Sequence, residues 1–225
     1  QEFEFTVEDG KLFMLQTRVA KRTPLAALRI AVDLVAAGLV SPAAALAQLQ
    51  GIDLASVEEV SLAHPDEQAF LASATPAGIG IAVGRLVLDV AAAERLAAAG
   101  DPVLLVRQET ATADISGIAV SAGILTALGG RTSHAAVVAR QLGKVCLVGC
   151  RELVPDLAQR RCRIAGHELA EGDWLCLDGN HGRIHAGRPE VVRKRPDDLL
   201  QQVESWRRRL AAGSETTATA VARAA

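Results

Sequence analysis

The residues best suited to do chemistry are the twelve from Gly129 to Arg140, GGRTSHAAVVAR. Two adjacent glycines permit backbone conformations closed to other residues. Thr132 or Ser133 offers a hydroxyl that can cap a helix beginning directly after it. Ala135, Val138, Ala139 and Leu142 recur at helical spacing, so one face packs inward, and Gly143 with Lys144 reads as the stop. His134 then falls in the first turn, where free amides and the positive end of the helix dipole gather. That position favours a neutral, nucleophilic ring and would stabilise the charge of a phosphoryl group added to it. The pattern suits a phosphohistidine intermediate. It suits equally an exposed histidine that does no more than begin a helix.

The elements that must hold this segment can be read from periodicity. Residues 2–18 read as a β-hairpin, with Glu8-Asp9-Gly10 as the turn. A lone hairpin buries little, so it must pack on something else. Thr23-Pro24 and Ser41-Pro42 are two helix starts, predicting helices over 24–37 and from 42 to about Gly51. A third short helix is expected around 54–60. All four Phe residues lie in the first 70 positions, and the chain then turns Gly- and Val-rich, which suggests a boundary before Thr75. Beyond it, strands are expected at 81–88, 102–107, 144–149, 161–164, 173–177 and 182–186, and residues 122–128 are apolar. Helices are expected at 90–98 and 134–142. This is an α/β pattern, a compact sheet or barrel with packed helices. A last helix is expected over 196–210, and a frayed tail after it.

Composition narrows the function classes. The chain has 225 residues, enough for one large or two small domains. Half of it is apolar but only 3% aromatic, so the core is built from Ala, Val, Leu and Ile. A net charge of −2 weighs against a generic nucleic-acid or anionic-membrane surface. No stretch approaches the roughly 18 apolar residues of a membrane span, and the acidic N-terminus has no signal-peptide pattern. Cys146, Cys150, Cys162 and Cys176 lack CxxC spacing, which argues against both a disulfide scaffold and a zinc site. A reducing, cytoplasmic setting is expected. The chain lacks an initiator Met and opens inside a strand, so a fragment or trimmed product is expected.

The segment GGRTSHAAVVAR resembles the phosphohistidine signature of the phosphoenolpyruvate-utilising enzymes. Within that group, PVLLVRQETATADISGI, AGILTALGG, LGKVCLVGC and EGDWLCLDGNHGRI resemble the central swivelling domain of the pyruvate phosphate dikinases. FEFTVEDGKLFMLQTRVAKRT with LAALRIAVDLV resembles the end of their ATP-grasp domain and the linker helix after it. The resemblance implies an α/β phosphohistidine swivelling domain of β/β/α type, preceded by an ATP-grasp hairpin remnant and linker helices. The divisions it suggests are 1–18 (ATP-grasp end), 19–74 (helical linker), 75–188 (swivelling domain) and 189–225 (C-terminal helix and tail).

It further implies that His134 carries a phosphoryl group from ATP to pyruvate, with Gly130, Arg131, Thr132 and Ser133 as neighbours. Mg²⁺ serves the complete enzyme, and no metal is expected on this fragment alone. The partners implied are an ATP-grasp domain and a phosphoenolpyruvate/pyruvate TIM-barrel domain. The fragment is expected to be monomeric, with no nucleic acid or membrane. Thr132 matches a threonine that a regulatory kinase/phosphatase modifies; it could equally be a plain N-cap. Glu4, Gln16 and Arg18, with Glu2 beside them, match nucleotide-contacting positions. Two departures stand out. Position 131 is Arg where the dikinases usually have Met, and Arg140 lies about 240° round the helix from His134, favouring a structural or docking role. Helices 24–37 and 196–210 are the expected hinges, and His64, His167, His181 and His185 are expected to be structural or solvated. A carrier domain of a phosphoenolpyruvate synthase or another phosphotransferase is an alternative. So is a non-catalytic interaction domain keeping the fold.

Overall fold

Capping chemistry sets the first helices. In the computed structural model, which describes residues 2–19, 22–64 and 69–223, the Thr23 hydroxyl accepts from the Ala26 amide and the Ser41 hydroxyl from the Ala44 amide. The helices that follow, α1 (Pro24–Ala36) and α2 (Pro42–Gln48), start at the proline in each case. Before them, β1 (Glu2–Glu8) and β2 (Lys11–Arg18) pair antiparallel. The chain continues through β3 (Glu59–Leu62), β4 (Phe70–Ser73), β5 (Thr75–Gly78), β6 (Ile81–Val87) and α3 (Val90–Ala98). Then come β7 (Val103–Arg107), α4 (Ile115–Val120), β8 (Gly123–Thr126), α5 (His134–Gln141) and β9 (Val145–Val148). The rest is β10 (Leu153–Asp156), β11 (Arg161–Ile164), β12 (His167–Ala170), β13 (Trp174–Asp178), β14 (Arg183–Ala186), β15 (Val191–Lys194) and α6 (Asp197–Arg223).

Two compact units result. One is residues 1–59 with 194–225; the other is 60–193. The division therefore falls at 59/60 rather than 74/75, because β4 is a strand of the main sheet and β3 pairs with β15. It falls at 193/194 rather than 188/189 for the same reason.

In the first unit, α1, α2 and α6 share a core of Leu28, Val32, Leu49, Val203 and Trp206, so both expected hinge helices pack in one bundle. The helix expected around 54–60 is absent. Asp53 instead caps a turn, accepting from the Ala55 amide, and β3 follows. α6 continues past 210 to Arg223, where fraying was expected; the alanines there are strong helix formers.

The second unit is built on an eight-stranded sheet in the order β4-β14-β13-β6-β7-β8-β9-β5. Strands β6 to β9 run parallel, and β5, β13, β14 and β4 are antiparallel to their neighbours. β4 and β5 occupy opposite edges yet are separated in sequence by Ala74 alone. Two Cα steps from Ser73 to Thr75 reach at most about 7 Å, so the sheet must roll until its edges meet. Strand periodicity then assigns an inside and an outside. Leu104, Val106, Leu125, Val145, Leu147, Leu175 and Leu177 fill the interior. Val103, Leu105, Ile124, Cys146 and Val148 face outward under Ala92 and Ala93 of α3, Ile118 of α4, and Ala135, Ala136 and Ala139 of α5. The small alanines let these helices lie close to the sheet.

A polar clamp ties the start of α3 to the β11–β12 side. Asp89 accepts from the Ala92 amide at 2.7 Å and from Arg160 at 2.8 Å, while Arg160 also pairs with Glu171. The helix cap, with help from Arg160, holds the Asp89 carboxyl below its ordinary value of 3.8. A depressed carboxylate contributes stability above its unfolded pKa, and that contribution is lost as pH falls through the folded one. Asp89→Asn keeps an acceptor at the cap but removes the charge. Its melting temperature is therefore expected to fall less steeply than wild type below about pH 4, as measured by calorimetry from pH 5 to 3.

Candidate functional site

His134 stands exposed as the first residue of α5, and the elements beneath it explain why it is held there. β8 delivers the chain to a loop over residues 127–133, between the ends of β7 and β9. The amide of Ala127 donates to the carbonyl of Arg107 and that of Leu128 to the carbonyl of Gln108. On the other side, the amide of Cys150 donates to the carbonyl of Thr126 at 3.0 Å. The buried Thr126 hydroxyl donates forward to the carbonyl of Leu128 at 2.7 Å. Gly129 has φ +100°, a conformation that needs glycine. A Cβ on Gly149 would come within 2.8 Å of the Gly129 carbonyl oxygen, so the turn after β9 must also be glycine for the loop to pass.

The loop then closes on the helix. The Ser133 amide donates to the carbonyl of Gly130 at 2.9 Å, and the Ser133 hydroxyl caps α5, accepting from the Ala136 amide at 3.4 Å. Ser133 is thus the N-cap, and Thr132 is left exposed. Ala135, Ala136 and Ala139 bury the inner face, which turns His134 outward. From the far end of α5, the Arg140 guanidinium donates to the carbonyl of Arg131 at 2.8 Å. The arrangement presents an imidazole on a rigid base, beside the amides that a helix start leaves unpaired. It can accept and hold an anionic group without enclosing it.

Residues 99–182 match the family model described as PEP-utilising enzyme, mobile domain. This segment is similar to the mobile domain of the PEP-utilising enzymes. The chain is 38% identical over 208 residues to "Pyruvate, phosphate dikinase" of Clostridium symbiosum, covering 92% of this chain and 24% of that protein. It is 39% identical over 208 residues to "Pyruvate, phosphate dikinase 2" of Zea mays, again 92% of this chain and 24% of the relative. To "Pyruvate, phosphate dikinase 1, chloroplastic" of Arabidopsis thaliana it is 36% identical, with 98% of this chain covered and 24% of the relative. The chain thus spans about a quarter of the length of these relatives. A solved structure titled "NMR solution structure of Enzyme I (nEIt) protein using two 4D-spectra" matches 47% of this chain and 38% of that one. Its identity of 24% and TM-score of 0.28 are too low to bear on the fold.

Gly130, Arg131, Thr132 and Ser133 form the loop that leads into His134 at the start of α5. Gln108, Thr126 and Gly149, which brace the loop, lie in segments that resemble the family, but nothing in the sequence alone assigns them to the site. A shallow cavity of about 370 Å³ lies elsewhere, beside Val83, Pro102 and Trp174. Pro102 precedes β7, whereas His134 follows β8, so the cavity and the histidine lie toward opposite ends of parallel strands. His181 bonds through Nδ1 to Asp178 at 2.8 Å, and the buried His185 packs edge-on against Phe70. Among the described residues, no three His, Cys, Asp or Glu side chains converge as a metal site. Among the described residues, no helix is long and apolar enough to cross a membrane.

Glu4 and Gln16 face each other across the hairpin, and Glu2 pairs with Arg18. The side chains of Glu2 and Arg18 lie outside the described residues. The hairpin belongs to the first unit and His134 to the second.

All four cysteines are free and buried. Burial pushes Cys146, Cys162 and Cys176 up to about 12 and raises Cys150 as well. An ordinary thiol is partly ionised at about pH 8, but these are neither ionised nor reachable. The native protein is expected to leave all four unlabelled by an aromatic disulfide reagent, and the denatured protein to react at all four. Prompt labelling of any one before denaturation would contradict this packing.

Proposed function

We propose that this chain is the phosphoryl carrier of a pyruvate phosphate dikinase-like enzyme. The reaction converts ATP, phosphate and pyruvate to AMP, pyrophosphate and phosphoenolpyruvate. The observation that carries the reading is His134, exposed at the start of α5 on a glycine loop braced from both sides. A ring nitrogen attacks the phosphorus, the bond to the leaving oxygen breaks, and the phosphoryl group rests on His134 until an acceptor oxygen takes it. The exposed position lets one histidine meet two partner sites in turn. Neutral amides of the first helical turn offset the added negative charge.

The partners are an ATP-grasp domain and a phosphoenolpyruvate/pyruvate barrel domain on other parts of the enzyme. The β1–β2 hairpin fits as the ATP-grasp end. Phe5 pairs with Met14 and Val7 with Leu12 on one face, all exposed, while Glu4 and Gln16 share the other. Glu4, Gln16 and Arg18 would contact nucleotide there. Mg²⁺ neutralises phosphate charge at those partner sites. Thr132, exposed and free of the capping role, suits a regulatory kinase/phosphatase: a phosphate two residues before His134 would repel the incoming group. The four buried thiols suit a reducing compartment, the cytoplasm.

The test is phosphorylation in trans. The chain is mixed with phosphoenolpyruvate, Mg²⁺ and an isolated barrel domain from a related dikinase, and acid-labile phosphate is read by intact mass. One phosphoryl group per chain is expected. No label, while a control carrier domain is labelled by the same barrel, overturns the reading.

A further inference from the structure

We infer that Arg140 is a positioning residue for phosphoryl transfer at His134, acting through the Arg131 carbonyl. The inference rests on the carrier reading above. Arg140 is the basic residue in the last turn of α5, where a cation would ordinarily do no more than offset the dipole. Its guanidinium instead reaches back along the helix to donate to the Arg131 carbonyl at 2.8 Å. Arg131 and Thr132 are the central pair of the turn that the Ser133 amide closes on the Gly130 carbonyl. Closed turns of this kind differ in which way the central peptide faces, and the bond from Arg140 fixes the carbonyl of that peptide.

Fixing that carbonyl has a second effect. In a planar trans peptide, the C=O of one residue and the N–H of the next point in opposite directions. With the Arg131 oxygen held by Arg140, the Thr132 amide points away from Arg140. Among the described residues it makes no hydrogen bond. Arg140 therefore sets the direction of a free amide two residues before the phosphorylated ring, and a preset donor of this kind acts most strongly where charge accumulates during transfer. Arg140 need touch neither phosphate nor partner.

The experiment follows phosphoryl uptake by the full chain against barrel-domain concentration for wild type, Arg140→Ala and Arg140→Lys. Arg140 is exposed, so melting temperatures are expected to match. Arg140→Ala is expected to lower the saturating rate on the order of tenfold, with the half-saturating barrel concentration unchanged. Lys can reach the same carbonyl, and Arg140→Lys is expected to regain most of the rate. The Thr132 amide resonance, read by NMR, is expected to shift in the alanine variant and to stay near its wild-type position in the lysine variant. An unchanged rate in Arg140→Ala overturns the inference. So does a loss confined to half-saturation, which would make Arg140 a docking residue. A wild type that takes no label while the control carrier does overturns the carrier reading itself, and this inference with it.

Discussion

His134→Ala is expected to lose the acid-labile phosphate label completely while melting at the wild-type temperature. The side chain is exposed and contributes nothing to the sheet-facing side of α5, which is made by Ala135, Ala136 and Ala139. The helix start is supplied by Ser133, one residue earlier, so removing the imidazole leaves the cap intact. The nearest alternative acceptors are the hydroxyls of Thr132 and Ser133. A phosphate on either would survive acid, so the acid step separates carrier chemistry from regulatory modification. A label that persists in the variant and remains acid-labile would move the carrier role off His134.

A large stability effect is expected at Gly179, in the turn between β13 and β14. A Cβ there would come within 2.2 Å of the Gly78 carbonyl oxygen and 3.1 Å of that of Gly80. The obstacles are backbone carbonyls of β5 and the turn after it, and neither can swing aside as a side chain does. The Gly179 amide also donates to the Gly80 carbonyl at 2.8 Å, so retreat would break a bond. Gly179→Ala is expected to cost about 3 kcal/mol, lowering the melting temperature by roughly 10 °C. Gly143→Ala provides the comparison. Gly143 has φ +65° but open space around it, so only the left-handed backbone is strained, at about 1 kcal/mol. Equal losses in the two variants would refute the close approach at Gly179.

Features encoded within a few residues were legible in the sequence, and features made by distant pairings were not. Thr23-Pro24, Ser41-Pro42 and Ser133-His134 each place a helix start because the cap, the proline and the first turn are neighbours. The outward and inward alternation of β7 follows from its own five residues. By contrast β3, β10, β12 and β15 are four residues each, and their pairing depends on partners elsewhere in the chain. The same holds for β4, whose membership of the main sheet moved the unit boundary from 75 to 60. At the site, the motif around His134 was visible in one stretch. Gly149 and Gln108 were not, because each braces the loop from the end of a different strand. Arg140 was assigned a structural or docking role from its angle on the helix, and its bond to Arg131 gives that role a specific atom.

The pairing of β3 with β15 has a consequence for engineering. These strands are the first and last of the 60–193 unit, so its two chain ends leave side by side. The unit is attached in the manner of an inserted module, on a double-stranded stem rather than as a bead between two separate linkers. Neighbouring termini are the condition under which excision, transplantation and circular permutation are tolerated. The unit can therefore be cut at both strands of the stem and grafted into a surface hairpin of an unrelated host without spanning any gap.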